Sequence, residues 1–447
     1  MARIRPWWLL LLLLPVPATL FAQTDETIFR EFRFDFSTPG ARANAMGRAF
    51  VGLSDEATAA YNNPAGLAVL SAPEFSFEFR QTDHEYPPLT QNNSFEPIST
   101  APEADMSRLS GLTFASFSLS RGRMNLNAFY TNQLNYRRSR SETSTEWFNL
   151  DDGITFNYVN GFDVEKIRLD TYGLSLSNRI GRLSWGVSVG LSRLDLRYIY
   201  RTSLSSNDIL IQDRVESNSR HDTAKLTFVV GLMVPVNDQL SLAFSAKRLP
   251  EFSYIERVLN FQSGQVTDEP DGRVPTPVTF KAPDSIQFGA AWRPNDFWTL
   301  VGEINWVQYQ QLSDNMTVLS TPDVERELRQ FEPGDFKNGN DPSFHLGAEY
   351  LWPRGRHIFA FRGGAFRESD HNTRFVGEPD PDANNPDELR IFYDIQRFIY
   401  NIGGNDKSLL GYTFGLGYVF NNKLQVDTAY VTSDDFDALV SSVLYRF

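Results

Sequence analysis

From residue 71 to the last residue the dominant pattern is a strict alternation of apolar with small or polar positions, the mark of strands with one apolar face. Leu410, Tyr412, Phe414, Leu416, Tyr418 and Phe420 alternate with Gly411, Thr413, Gly415, Gly417 and Val419. Leu183, Trp185, Val187, Val189 and Leu191 alternate in the same way with Ser184, Gly186, Ser188, Gly190 and Ser192, and Phe344, Leu346, Ala348, Tyr350 and Trp352 with Ser343, His345, Gly347 and Glu349. The pattern predicts strands at 71–83, 108–119, 123–136, 165–180, 182–200, 222–236, 239–258, 278–293, 296–312, 342–352, 355–369, 408–420, 423–433 and 436–447. These are about fourteen antiparallel strands, most of them long enough to cross a bilayer at a tilt.

A half-buried soluble sheet also alternates, so the connections decide. Tight turns near Arg121-Gly122, Gly181, Asn237-Asp238, Pro294-Asn295, Pro353-Arg354 and Asn421-Asn422 take turns with longer loops, the last of which is short, at Asp434-Asp435. Short turns at one end and long loops at the other are the pattern of a transmembrane β-barrel. Trp185, Trp292, Trp298, Trp352 and Phe420 near strand ends suit interfacial girdles. The expectation is an all-β transmembrane antiparallel β-barrel of about 14 strands over residues 71–447, with residues 23–70 as a hatch or plug inside the lumen.

Residues 1–22 read as a secretory signal peptide: Arg3 and Arg5, an apolar run from Trp7 to Leu14, prolines 15 and 17, and a small-residue end at Ala22. No other stretch approaches the roughly 18 apolar residues of a membrane helix. The 447 residues carry 42 Lys+Arg against 55 Asp+Glu, so removing Arg3 and Arg5 leaves 40 − 55 = −15. That balance excludes a nucleic-acid footprint. The absence of cysteine excludes a disulfide scaffold and thiol chemistry and suits an oxidising compartment.

The segment before the first strand is rich in Ala and Gly, with Ser54-Asp55-Glu56 as a helix start and Asn63-Pro64 as a stop. On the wall strands, taking apolar residues as lipid-facing puts Glu303, Glu349, Arg362 and Asp427 inside the lumen. Charges removed from water need partners, so Arg42 and Arg48 of the hatch are expected to pair with Glu303, Glu349 and Asp427. Two outer loops carry aromatic or apolar groups suited to catching an oily ligand or to fastening the loops to each other. One holds Trp147, Phe148, Phe156, Tyr158 and Phe162; the other holds Ile391, Phe392, Ile395, Phe398, Ile399 and Ile402. Catalysis finds no support: Gly186-Val-Ser188-Val-Gly190 lies mid-strand and not on a strand-to-helix elbow, and the five histidines show no metal spacing. No enzyme activity, cofactor or metal is expected.

Asn63, Pro64 and Ala65, following Asp55-Glu56 and followed by Gly66, resemble the hatch element of the FadL/TodX family of outer-membrane fatty-acid and hydrocarbon transporters. Further resemblance lies in Lys281-Ala-Pro-Asp-Ser-Ile-Gln-Phe-Gly289, Trp298-Thr-Leu300, Leu346-Gly-Ala-Glu-Tyr350 and Tyr412-Thr-Phe-Gly-Leu-Gly-Tyr418. The final Tyr445-Arg-Phe447 resembles the C-terminal signature read by the barrel-insertion machinery. The resemblance implies a monomeric barrel in the bacterial outer membrane, in contact with its lipids, that passively moves long-chain fatty acids or other hydrophobic compounds. It implies a gate at Asn63, Pro64, Ala65 and Gly66 and a sideways exit where the hatch holds a wall strand out of register. Met124 to Tyr130 of the third strand has no internal Gly or Pro to mark such a distortion. An alternative on the same scaffold is a PorV-like binding platform of a protein-secretion system.

Overall fold

The structure is a computed structural model that describes residues 34–36, 38–86, 105–121, 124–137, 143–149, 155–205, 210–218, 224–262, 276–314, 333–378 and 408–447. The expected signal peptide and the group Ile391 to Ile402 lie outside the described residues.

The strands, in chain order, are β1 (Glu74–Tyr86), β2 (Asp105–Arg121), β3 (Met124–Tyr136), β4 (Thr143–Asn149), β5 (Thr155–Ile180), β6 (Leu183–Ser205), β7 (Leu210–Asn218), β8 (Lys225–Pro235), β9 (Leu240–Arg248), β10 (Glu251–Gln262), β11 (Thr276–Lys281), β12 (Ser285–Trp292), β13 (Trp298–Val307), β14 (Phe336–Lys337), β15 (Ser343–Arg354), β16 (His357–Glu368), β17 (Arg374–Phe375), β18 (Leu409–Phe420), β19 (Leu424–Ser433) and β20 (Phe436–Arg446). Fourteen of them form the wall in the order β1-β2-β3-β5-β6-β8-β9-β12-β13-β15-β16-β18-β19-β20, each antiparallel to its neighbour. The ring closes where Glu74–His84 of β1 pairs with Arg446–Phe436 of β20, so the first and last wall strands are not left as edges.

The loop expectation is corrected between β3 and β8. Residues Thr143–Asn149 pair with Gly161–Thr155, β6 runs on to Ser205, and β7 pairs with both β6 and β10. Thr, Val, Tyr and Phe through 143–162 favour extended backbone, so the wall extends where a loop was expected. Two expected strands are interrupted: 239–258 at Leu249-Pro250 and 278–293 at Ala282-Pro283-Asp284. Proline has no N–H for the ladder; there Lys281 Nζ donates to the carbonyls of Leu249 (2.8 Å) and Ala282 (2.7 Å) and to Asp284 Oδ1 (2.7 Å), stitching the two breaks together.

The tight turns are built as the residues dictate. Asn421 and Asn422 take φ of 54° and 56°, and Gly181 and Gly355 take 61° and 63°, the left-handed values hairpin turns require. Outward-facing side chains are large, apolar and exposed: Phe75, Phe77 and Phe79 on β1, Leu174 and Leu176 on β5, Tyr412, Phe414 and Leu416 on β18. An apolar belt around a closed barrel is unstable in water and stable in lipid. The inward face holds Ser, Thr, Asn, Gly and the buried charges Glu303, Glu349, Arg362 and Asp427.

Residues 38–70 pack against that inward face. They form two short helices, α1 (Ala41–Ala45) and α2 (Ala59–Asn62), and a 3-10 turn, Pro64–Val69. Ala41, Ala43, Ala45, Ala57, Ala59, Ala60 and Ala65 are each fully buried. Small side chains let the backbone lie directly on the wall.

Candidate functional site

Six inward glycines form a girdle on which the N-terminal segment lies. A Cβ at Gly186 (β6) would stand 2.6 Å from Ala65 N, at Gly231 (β8) 3.0 Å from Pro64 Cδ, and at Gly289 (β12) 3.1 Å from Gly52 Cα. At Gly347 (β15) and Gly364 (β16) it would stand 2.6 Å from Met46 C, and at Gly415 (β18) it would overlap Ala45 Cβ. In the sequence these glycines read only as a small-residue face; what they face was not legible.

The expected gate residues sit on this girdle. Asn63, fully buried, donates from Nδ2 to the carbonyls of Val51 (3.1 Å) and of Leu232 on β8 (3.4 Å), and its Oδ1 accepts from Ala65 N–H (3.2 Å). That last bond caps the 3-10 turn, whose first position is Pro64, where the missing N–H costs nothing. Gly66 passes so close to Ser54 that a Cβ would strike its carbonyl. The wall strands that Asn63 and Pro64 touch are β6 and β8.

The charged residues form two groups. In the first, Arg42 binds Glu349 through two bonds (Nε 2.9 Å, Nη2 2.7 Å) and Asp55 (2.6 Å), while Arg362 bridges Glu349 and Asp427 at 2.7 Å each. Glu56 is buried beside them, accepting from Thr58 Oγ1 (3.0 Å) with Arg42 at 3.9 Å. Burial pushes its carboxyl up to about 7; Arg42 opposes the rise and the nearby Asp427 and Asp55 add to it. In the second group Arg48 departs from expectation and pairs with Asp35 (2.8 Å) and Glu368 (2.9 Å). Glu303 also departs from it, accepting the backbone N–H groups of Phe50 and Val51, both at 2.9 Å. Charge alone could not tell a guanidinium from two backbone donors, because both satisfy a carboxylate. Arg48 reaches its place through φ of 65°, directly after Gly47 at 64°.

A feature not anticipated lies in the wall. The β2–β3 ladder covers only Phe114–Arg121 against Thr131–Met124, although β2 begins at Asp105 and β3 runs to Tyr136. Above the Phe114–Thr131 rung the two strands share no ladder. Two bulges accompany the parting: Glu78 and Phe79 of β1 face Phe114 and Leu112, leaving Thr113 extra, and Asn132 and Leu134 of β3 face Asp170 and Leu169, leaving Gln133 extra. Asn132 Nδ2 holds the second bulge through Leu134 O (3.2 Å), Leu169 O (3.4 Å) and Asp170 Oδ1 (2.9 Å). No glycine or proline is involved, which corrects the expectation drawn from their absence. The available signal was the polar run Thr131-Asn132-Gln133, which breaks the alternation and is buried throughout.

This seam has a cavity on its inner side and a groove on its outer side. The inner cavity, of about 50 Å³, is lined by Arg48, Arg80, Thr113, Asn132, Gln133 and Tyr136 among others. The outer groove, of about 620 Å³, runs over Ala115, Phe117, Ala128, Tyr130, Tyr172 and Leu191. Beside the seam Phe129 packs over Gly173 and against Tyr61, ring centroids 6.3 Å apart. Toward the long-loop end Phe34, 1% exposed, meets Tyr136 and Phe280 edge-on, each at 5.8 Å.

Of the expected capture residues, Trp147 and Phe148 lie on β4, and Phe156, Tyr158 and Phe162 on β5, where Phe148 pairs with Phe156; their side chains lie outside the described residues. Ser188 donates to Ala60 O (2.6 Å) and shares a hydrogen bond with the Ser175 hydroxyl (2.7 Å), so its hydroxyl anchors α2 to the wall.

No family model and no curated protein matches the chain in sequence. Solved structures do match in fold. The Ralstonia pickettii toluene transporter TbuX aligns at a TM-score of 0.53 with 15% identity, over 92% of this chain and 99% of that one. A Pseudomonas aeruginosa FadL homologue aligns at 0.58 with 12% identity over 93% and 99%. The Pseudomonas putida toluene transporter TodX aligns at 0.53 with 12% identity over 92% and 98%. The chain therefore folds as a fourteen-strand barrel of the FadL/TodX type.

Proposed function

We propose that the chain is a passive channel of the bacterial outer membrane for hydrophobic molecules, with long-chain fatty acids among them, and that cargo leaves through the wall at the β2–β3 seam. The observation that carries this reading is the end of the β2–β3 ladder at Phe114–Thr131, flanked by an inner cavity and an apolar outer groove. A straight passage is opposed by residues 38–70, which are bonded to the wall on β6, β8, β9, β13, β15, β16 and β18. A hydrophobic molecule gains nothing by entering the aqueous periplasm and gains its full transfer free energy by entering lipid, so a wall exit suits the cargo. The toluene transporters among the structural neighbours move hydrophobic cargo.

In this reading residues 38–70 are a hatch. Arg42, Glu349, Arg362 and Asp427 fix one side of it, and Asn63, Pro64, Ala65 and Gly66 fix the other by holding the 3-10 turn against β6 and β8. Gating then requires movement only near the seam, where Tyr61 and the stretch around Thr38 lie. Uptake of radiolabelled oleate by cells lacking their own fatty-acid transporter tests the proposal. Cells expressing the chain are expected to take oleate up and the Asn63→Ala variant to be slower, with the barrel intact. Surface-inserted chain that supports no uptake of oleate or of toluene would remove the proposal.

A further inference from the structure

On the outer face of the wall the apolar groove gives way, toward the long-loop end, to a cluster of charged residues. Strands β5 and β6 stay paired past the groove: the outward pair Tyr172–Leu191 is followed by the outward pairs Asp170–Arg193 and Arg168–Asp195. Tyr172 and Leu191 line the groove, of about 620 Å³, together with Tyr130, Ala115 and Ala128. Charge therefore begins one outward position beyond the last apolar one. Tyr130 and Tyr172, ring centroids 5.1 Å apart, stand at the boundary, where amphipathic rings sit at a membrane–water interface.

The charges are unequally paired. Asp170 is engaged through both oxygens: Oδ1 accepts from Tyr130 Oη (2.8 Å) and Asn132 Nδ2 (2.9 Å), and Oδ2 stands 2.7 Å from Arg168 Nε. Arg168 also donates from Nη2 to Tyr130 Oη (2.7 Å), and Lys166 pairs with Asp195 at 2.6 Å. Arg193, directly across the ladder from Asp170, is exposed and makes no ion pair or side-chain hydrogen bond among the described residues. An arginine on the lipid face is costly at mid-bilayer and nearly free at headgroup depth. There its planar fork matches a phosphate through two parallel N–H···O bonds. Arg168 lies diagonally across the ladder from it, so the several acceptor oxygens of one phosphate can bridge the two strands. The groove below is shaped for a chain, with the small side chains of Ala115 and Ala128 leaving room beside Phe117 and Tyr172.

We propose that this face of β5 and β6 is a binding site for a phosphate-bearing lipid of the outer leaflet, its phosphate on Arg193 and Arg168 and one acyl chain in the groove. The site goes beyond the transport reading and does not depend on it. The groove lies below the Phe114–Thr131 rung and the parted strands lie above it, so the lipid borders the seam without closing it to cargo.

The test uses the full chain in nanodiscs of phosphatidylcholine doped with lipid A, a phosphate-bearing glycolipid, and native mass spectrometry to read the lipid retained on release. A single lipid A per chain is expected. Arg193→Gln removes a side chain that bonds to nothing within the described chain, so the fold is kept, and retention is expected to fall about tenfold, the worth of one charge-assisted hydrogen bond. Ala128→Trp, which fills the groove from the lipid side, is expected to lower retention as well. Arg354→Gln, at the short-turn end of β15, is expected to leave it unchanged. Lipid A stripped of phosphate is expected to be retained about tenfold less, and excess inorganic phosphate is expected not to displace the intact lipid. Undiminished retention in Arg193→Gln, equal retention of the dephosphorylated lipid, or release by inorganic phosphate would overturn the site. Release by an equal amount of oleate would also overturn it, giving Arg193 to the carboxylate of the cargo. A chain that retains lipid A but supports no uptake of oleate or toluene keeps the site and removes the transport reading; uptake without retention does the reverse.

Discussion

Gly363 and Gly364 are neighbours on β16 that point to opposite faces, and they make a matched test of how the hatch is held. A methyl at Gly363 has its nearest neighbour, Thr413 O, at 3.7 Å, an ordinary contact. A methyl at Gly364 stands 2.6 Å from Met46 C and 2.7 Å from Gly47 Cα. Those atoms are backbone, so no rotamer relieves the overlap. Restoring a contact of 3.4 Å from 2.6 Å already requires a movement of about 0.8 Å, and Gly47 N lies closer still, so the hatch must move by more than that. Three bonds hold this point: Gly47 N–H to Thr413 Oγ1, Thr413 Oγ1–H to Ala45 O, and His345 Nδ1–H to Gly47 O, each at 2.9 Å. The same displacement along them exceeds bonding distance, and at about 1 kcal/mol per bond the loss is roughly 3 kcal/mol. That corresponds to about a hundredfold faster opening. Hydrogen exchange of peptides spanning 41–53, measured in nanodiscs, reads it directly. Gly364→Ala is expected to exchange about a hundredfold faster there with the wall unchanged, and Gly363→Ala to match the parent. Equal exchange in the two variants would refute the docking argument.

Other expectations follow from the charged groups and the chain end. Glu349→Gln removes the carboxylate between Arg42 and Arg362; breaking a buried pair costs about 3–5 kcal/mol, so this variant is expected to loosen the hatch more than Gly364→Ala does in the same exchange measurement. The Glu56 carboxyl is raised to about 7 from 4.5 in the folded chain, so its contribution is complete below 4.5 and is lost as pH rises through 7. The hatch is expected to be held more tightly at pH 5 than at pH 8, by roughly 2–3 kcal/mol. Protease sensitivity of residues 38–70 at the two pH values checks this, and Glu56→Gln is expected to flatten the difference; a parent chain cut faster at pH 5 would contradict it. Phe447, 62% exposed at the end of β20, is expected to aid insertion, so Phe447→Ala should lower the amount of heat-modifiable barrel in outer-membrane fractions.

The barrel was legible because its determinants are local. Period-two patterning sets which face meets lipid, and Gly181, Gly355 and Asn421-Asn422 set the short turns. The lumen side of Glu303, Glu349, Arg362 and Asp427 follows from the same alternation. Their partners do not, since that depends on where residues 38–70 come to rest: Arg48 meets Glu368 and Asp35, and Glu303 meets two backbone N–H groups. The six-glycine girdle was visible only as small residues, because the reason for glycine lies on another segment. The seam escaped because a bulge held by the Asn132 amide needs neither glycine nor proline. A broken alternation at Thr131-Asn132-Gln133 was its only trace in the sequence. The β4–β5 extension escaped because polar residues interleave with its aromatics, and strand and loop look alike in such a stretch.

The central claim is that hydrophobic cargo leaves through the wall between β2 and β3. The chain has no cysteine, so cysteines placed at Thr113 and Asn132 can be bridged with a short bifunctional thiol reagent without side reactions. Oleate uptake by cells carrying this double variant is the most direct measurement. Bridging is expected to abolish uptake, cleavage of a reducible bridge to restore it, and either single variant to be unaffected by the reagent. Full uptake with the bridge confirmed in place would contradict the account.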